Sequence, residues 1–141
     1  MERHRFKDGS YQLRVLPGEE IVSVLTSFVN DMEIYAGSFT AIGAAHNVEL
    51  GYWDGKRKLY LRKKLRGTLE IVGMTGNVSR VEDGRAFVHA HAVLGDSKFA
   101  TFSGHLFAAT AEPTCEISLR PQEGVVERRM DKKLGLRLLC L

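Results

Sequence analysis

The run Phe87-Val88-His89-Ala90-His91-Ala92-Val93-Leu94 alternates strictly between two sets of side chains. Phe87, His89, His91 and Val93 occupy one set of positions, and Val88, Ala90, Ala92 and Leu94 the other. A period of two is the mark of a strand. It sends one apolar row towards a core and leaves two imidazoles on the opposite face, about 7 Å apart along the chain. Gly95-Asp96-Ser97-Lys98 then reads as a turn. Phe99 to Thr110 is expected to return antiparallel, carrying His105 within Gly104-His105-Leu106. Three of the five histidines thus belong to one hairpin. Three neutral imidazoles can hold one divalent ion and leave its fourth position open. The same rings can also sit satisfied in a metal-free cluster, and the residues alone leave both readings open.

Only one stretch has a helical period. Tyr11, Leu13 and Val15 mark a strand, Pro17-Gly18 breaks it, and Ile21, Leu25 and Phe28 recur at i, i+4 and i+7. Glu19 and Glu20 stand at the end where a helix favours negative charge, and Asn30-Asp31 closes it. From Ile34 onward the chain reads as strand and turn. Ala36 to Ala45 is rich in small residues, and Asn47 to Trp53 runs into the hairpin signal Asp54-Gly55. Lys56 to Leu65 returns as a basic strand. In Gly67 to Ser79, alternation puts Leu69, Ile71 and Gly73 on one face and Glu70, Val72 and Met74 on the other. Glu112-Pro113-Thr114 is expected to interrupt the chain before a separate strand at Cys115 to Leu119. A short charged segment, Val125 to Met130, precedes the apolar tail Leu134 to Leu141, expected to dock on the body or on a neighbouring subunit. The pattern is α+β: a mostly antiparallel twisted sheet or partial barrel with one main helix packed on it, residues 1–141 forming a single domain.

Composition narrows the function. No segment approaches the roughly 18 consecutive apolar residues of a membrane span, and the charged start Met1-Glu2-Arg3-His4-Arg5 has no apolar region behind it of the secretory kind. Cys115 and Cys140 are far apart, which favours a reduced, cytoplasmic protein with both as packing residues. A net charge of +3 permits nucleic-acid binding without arguing for it.

Several stretches, taken in order, point to a family. Gly37-Ser38-Phe39-Thr40-Ala41-Ile42-Gly43-Ala44, Gly51-Tyr52, Leu69-Glu70-Ile71, Gly76-Asn77-Val78-Ser79, the histidine strand through Gly95-Asp96, and Gly104-His105-Leu106 together resemble the PPC (plants-and-prokaryotes-conserved) domain. The resemblance implies an α+β fold and a homo-trimer. It also implies a metal site, zinc being the candidate, at His89, His91 and His105. The fold group is similar to acetolactate decarboxylases, which hold zinc through an HxH pair and one later histidine. Plant members carry AT-hooks; this chain has no Arg-Gly-Arg-Pro hook. Prokaryotic stand-alone members are described as DNA-binding, a label the residues do not carry by themselves.

Other residues qualify this reading. An enzyme needs an acid to move protons beside the metal. Glu70, which interrupts an apolar strand, is the first catalytic candidate, with Glu49 and Asp96 behind it. A paired carboxylate at a sheet face, or a subunit contact, is the simpler account of Glu70, and Asp96 is most simply a turn residue. Asn77 and Ser79 are candidates to orient a histidine. Lys56, Arg57, Lys58, Arg62, Lys63 and Lys64, with Tyr52, Trp53 and Tyr60 nearby, form the nucleic-acid candidate. Edge-strand lysines that block aggregation are the alternative. Arg128, Arg129, Lys132 and Lys133, diluted by Glu127 and Asp131, read as a solvated face, and His4 and His46 are isolated. The function expected is a small cytoplasmic binding or regulatory module with a three-histidine zinc site. A DNA-associated protein and a zinc-dependent lyase or hydrolase acting on a small acid are the alternatives.

Overall fold

The computed structural model describes residues 1–141. In chain order its elements are β1 (Glu2–Arg5), β2 (Tyr11–Val15), α1 (Ile21–Asp31), β3 (Gly37–Asp54), β4 (Leu59–Leu65), β5 (Leu69–Arg80), β6 (Ala86–Gly95), β7 (Thr101–Pro121), β8 (Glu127–Asp131) and β9 (Leu136–Cys140). All nine strands join one sheet, antiparallel except for a single β5–β8 bridge, so the fold is α+β. Strand β3 pairs with β5, β5 with β6, β6 with β7, and β7 with β3 again. That circuit curls the sheet into a partial barrel, as the alternation of the strands led one to expect.

The single helix fixes which way the histidine strand faces. The Glu20 carboxylate caps α1 by accepting from the backbone N–H of Val22 (3.2 Å) and Ser23 (2.7 Å). It also accepts from the Ala109 N–H at 3.0 Å, which ties the helix start to β7. Ile21, Leu25, Phe28 and Val29 are buried, and the helix packs on β6 and β7. Val88, Ala90, Ala92 and Leu94 meet the core behind it. The alternate positions, His89 and His91, are therefore turned to the other side of the sheet.

The long strands depart from the expected pattern in physically simple ways. Glu112-Pro113-Thr114 does not end β7. Gly43 faces Cys115 while Ala45 faces Ala111, so two extra residues of β7 bulge out beside the proline, which has no N–H for the ladder. In β5, Ile71 faces Leu94 but Gly73 faces Val93, an insertion of one residue at Val72. The inserted residue reverses the alternation. Met74 is buried, and Val72 is 61% exposed instead of matching it. Gly43, at φ 145°, lies so close to the Thr114 carbonyl that a side chain there has no room.

The C-terminal residues form the β8–β9 hairpin, joined to the sheet through Arg80 and Glu127. The tail is held to its own protomer through β8 and through an Arg137–Glu82 ion pair at 3.3 Å, while Leu138 and Leu139 remain exposed. Cys140 is exposed, not a packing residue. Cys115 is buried, and desolvation pushes its thiol up to about 12.

Candidate metal centre

The turn after β6 sets the register of the site. The Asp96 side chain accepts from the backbone N–H of Lys98 and Ala100, both at 2.9 Å, and Phe99 takes a positive φ. Asp96 is thus the turn residue its position suggests. The return strand places His91 directly opposite His105. The three imidazole centroids stand 5.0–5.4 Å apart, and one nitrogen from each of His89, His91 and His105 lies within 4.8 Å of the others. Next to His105, a Cβ on Gly104 would meet the Gly51 carbonyl at 2.7 Å, so the absence of a side chain lets β7 lie close on β3 here.

Half-buried His89 and His105 contrast with exposed His91. Burial is the main reason that His89 titrates near 4 instead of 6.5; the Arg128 guanidinium comes next, then the other two rings. His105 is likewise held near 4 by burial first, then by His91, Arg128 and Arg62. Both rings are neutral at neutral pH, as ligands must be. The buried His105 Nδ1 has no hydrogen-bond partner.

Arg128 is the residue that sequence reasoning missed. The structure buries it to 5% exposure, where a solvated face was expected. Its Nε donates to Ser79 Oγ (2.9 Å), Nη1 to the Arg137 carbonyl (3.0 Å), and Nη2 to Asn77 Oδ1 (2.9 Å). Nη2 also lies 3.2 Å from His89 Nδ1. A guanidinium only donates, so Nδ1 accepts and the neutral His89 ring carries its proton on Nε2. Asn77 and Ser79 therefore act on a histidine through Arg128. The one signal in the sequence was the register: Asn77 pairs with His89, and Ser79 follows on the same face of β5.

The basic hairpin reaches the same site. Tyr60 of β4 packs on His105 at 5.0 Å between centroids and on Trp53 at 5.2 Å, and Phe107 packs on His105 at 4.6 Å. The cations stay outside. Lys56, Arg57, Lys58, Arg62, Lys63 and Lys64 are all exposed. Arg62 pairs with Glu49 at 2.7 Å and stacks 3.9 Å over Phe107, while Arg57 pairs with Asp54 at 3.6 Å. Lys63 lies over Phe102.

Glu70 is not brought to the histidines. It faces Gly95, four residues along β6 from His91, or about 13 Å at strand rise. Glu49 is engaged by Arg62. His4 stacks on Phe6, and His46 faces Thr110, both away from the cluster. No carboxylate oxygen lies within ion-pair distance of Arg128.

The donor set fits a metal ion. Nitrogens at about 2.0–2.1 Å from a tetrahedral ion stand roughly 3.4 Å apart, so rotation of the rings by about an ångström closes the present spread. The orphaned His105 Nδ1 gives that closure a reason.

An α+β fold with three imidazoles clustered on the sheet face opposite the helix can be placed among known proteins. Residues 5–121 match the Plants and Prokaryotes Conserved (PCC) domain, and the chain belongs to that family. Its structure is similar to that of a proposed DNA-binding protein from Bacteroides thetaiotaomicron, with a TM-score of 0.93 at 27% identity over 99% of this chain and 96% of that one. A metal-containing protein from Archaeoglobus fulgidus superposes with a TM-score of 0.87 at 33% identity over 99% of this chain and 97% of the other. The bifunctional protein GlmU of a Synechococcus strain is 30% identical over 97 residues, 68% of this chain. The matched stretch spans only 14% of that protein's length. No helix is long and apolar enough to cross a membrane.

Proposed function

We propose that this protein is a metal-dependent binding or regulatory module of the PCC family. In this reading it acts in the cytoplasm as a homo-trimer, each chain holding one zinc ion through His89, His91 and His105. The observation that carries the reading is the convergence of three imidazoles, two of them held neutral by burial, around the unpartnered His105 Nδ1. The metal-containing relative from Archaeoglobus fulgidus supports it. A bound zinc supplies a Lewis-acidic centre with one open position. The chain itself supplies neutral rings, and Arg128 beside His89. Binding is favoured over lyase or hydrolase chemistry because Glu70 faces Gly95, away from the histidines of its own chain, and Glu49 is engaged by Arg62.

The trimer has support in the exposed apolar surface. Ile42, Val72 and Val93 stand 42–61% exposed, and Leu138 and Leu139 add to them on the hairpin. His91 opens on a groove of about 740 Å³ lined by Thr40, Met74, Thr75, Val93 and Ser103. Native mass spectrometry of untagged, zinc-replete protein tests both parts at once. Three chains carrying three zinc ions are expected, with the metal lost in the His89→Ala/His91→Ala double variant. A metal-free protein under these conditions rejects the site, and a monomer rejects the assembly.

DNA association through the basic β4 edge is the second reading. The relative from Bacteroides thetaiotaomicron and the exposed Lys56, Lys58 and Lys64 favour it. The ion pairs of Arg57 and Arg62 reduce the charge available to phosphates.

A further inference from the structure

Arg128 presents an electrostatic problem that the histidines do not solve. Arg128 is buried as a residue, at 5% exposure, yet every hydrogen-bond partner it has is neutral: a hydroxyl, a carbonyl, an amide oxygen and an imidazole nitrogen. A buried cation without a counter-charge is unfavourable, and arginines in such places ordinarily meet a carboxylate or phosphate. Among the charges acting on His89, His105 and Arg128, the only acidic group is the phenol of Tyr60.

Loading the site sharpens the problem. Nη2 depends on His89 Nδ1 as an acceptor. If His89 ligates through Nδ1, its lone pair is taken. If it ligates through Nε2, the ring proton moves to Nδ1, which becomes a donor facing a donor. Either way Nη2 loses an acceptor at the moment a dication enters beside it. Three neutral imidazoles bring no charge to offset the pair. What is missing is an acceptor oxygen with negative charge, close to Arg128 and to the imidazoles that would hold the metal.

We propose that the site takes a small oxyanion, a carboxylate or a phosphate-like group, recognised jointly by the metal and by Arg128. This rests on the metal reading above and names the ligand class for it. Arg128 is a ligand-binding residue in this account. Asn77 and Ser79 hold its guanidinium from behind, and exposed Arg62 is not part of the recognition. By linkage, the anion tightens the metal and the metal tightens the anion by the same factor.

The test uses cobalt(II)-loaded protein, whose visible spectrum reports the coordination sphere. Acetate stands for carboxylates and sulfate for tetrahedral oxyanions, each titrated at an ionic strength held constant with perchlorate. A saturable spectral change with one of them is expected, and which one responds distinguishes the two sources. In Arg128→Gln cobalt still binds and the anion affinity falls at least ten-fold; in Arg62→Gln it changes less than two-fold. No saturable response in the native protein, or an unchanged affinity in Arg128→Gln, overturns the proposal. Failure of cobalt to bind at all overturns the metal reading instead, and this one with it. Should Arg128→Gln not fold by circular dichroism, Arg128→Lys decides. It keeps the charge and loses the planar fork, so a weakened anion affinity is expected and an undiminished one overturns the role of the guanidinium.

Discussion

Two hairpins of this protein carry arginine and lysine in similar density, and the structure treats them in opposite ways. The β3–β4 hairpin holds its cations in solvent, where Arg62 and Arg57 find the carboxylates of Glu49 and Asp54. The β8–β9 hairpin sends Arg128 inward, without a carboxylate, against the face that carries His89. Its neighbour Arg129 stays outside and pairs with Glu127. Density of charge therefore says little about which cation matters. Burial without a counter-ion, on a strand edge next to a cluster of donors, says more, because that arrangement persists only where something else stabilises it.

The largest effect that tests the contrast is on stability. Arg128→Ala leaves the buried Ser79 hydroxyl and the Asn77 amide without a partner and opens a void under Phe87, over which the guanidinium sits at 5.2 Å. Urea denaturation of the metal-free protein is expected to show a loss of about 2–4 kcal/mol. Arg128→Met, which fills the volume without burying a charge, is expected to cost less. A loss below about 0.5 kcal/mol for Arg128→Ala, the size of an ordinary surface substitution, breaks the distinction between the hairpins.

Much of this arrangement was legible in the sequence, and the part that was not has a physical reason. Alternation in Phe87 to Leu94 located the strand and the face of its histidines, because that face is set by burial of Val88, Ala90, Ala92 and Leu94 alone. The Asp96 turn was enough to bring His105 opposite His91. Alternation misplaced Met74, since one bulged residue inverts every later position of β5. It promoted Glu70, whose place along the strand depends on pairing register and not on its own neighbours. Arg128 was invisible because its role comes from where the β8–β9 hairpin lands, bringing together residues about 40–50 apart in sequence. It also lies beyond residues 5–121, the portion that matches the family.

A smaller effect separates the two arginines by their reach into the site. In metal-free protein, His89 and His105 titrate near 4 while the unfolded chain takes up their protons near 6.5. The unfolded state binds more protons between these values, so stability falls as pH drops from about 6.5 to about 4 and is unaffected by these rings above that window. Arg128 acts on both rings, and on His105 it ranks ahead of Arg62. Histidine ring resonances followed by NMR should therefore show His89 titrating closer to 6.5 in Arg128→Gln, with a smaller movement of His105 in Arg62→Gln. Equal movement in the two variants places the exposed arginine as near the site, electrostatically, as the buried one.

The smallest effects belong to the exposed hairpin, and their smallness is itself informative. Arg62→Ala removes an ion pair whose arginine is half in solvent and the stacking on Phe107, together worth roughly 0.5–1.5 kcal/mol. Lys56, Lys58 and Lys64 touch no carboxylate within 4 Å. Their joint replacement by glutamine is expected to change the unfolding free energy from urea denaturation by no more than about 0.5 kcal/mol per surface site. Residues that cost nothing to the fold are free to serve a partner, so the same triple variant decides the DNA reading. If duplex DNA binds along this edge, the variant weakens it and flattens its salt dependence by up to about 2.7 in log–log slope, roughly 0.9 for each phosphate no longer neutralised. If binding is absent, or its salt slope is the same with and without the three lysines, the exposed hairpin is a sheet edge kept soluble by charge.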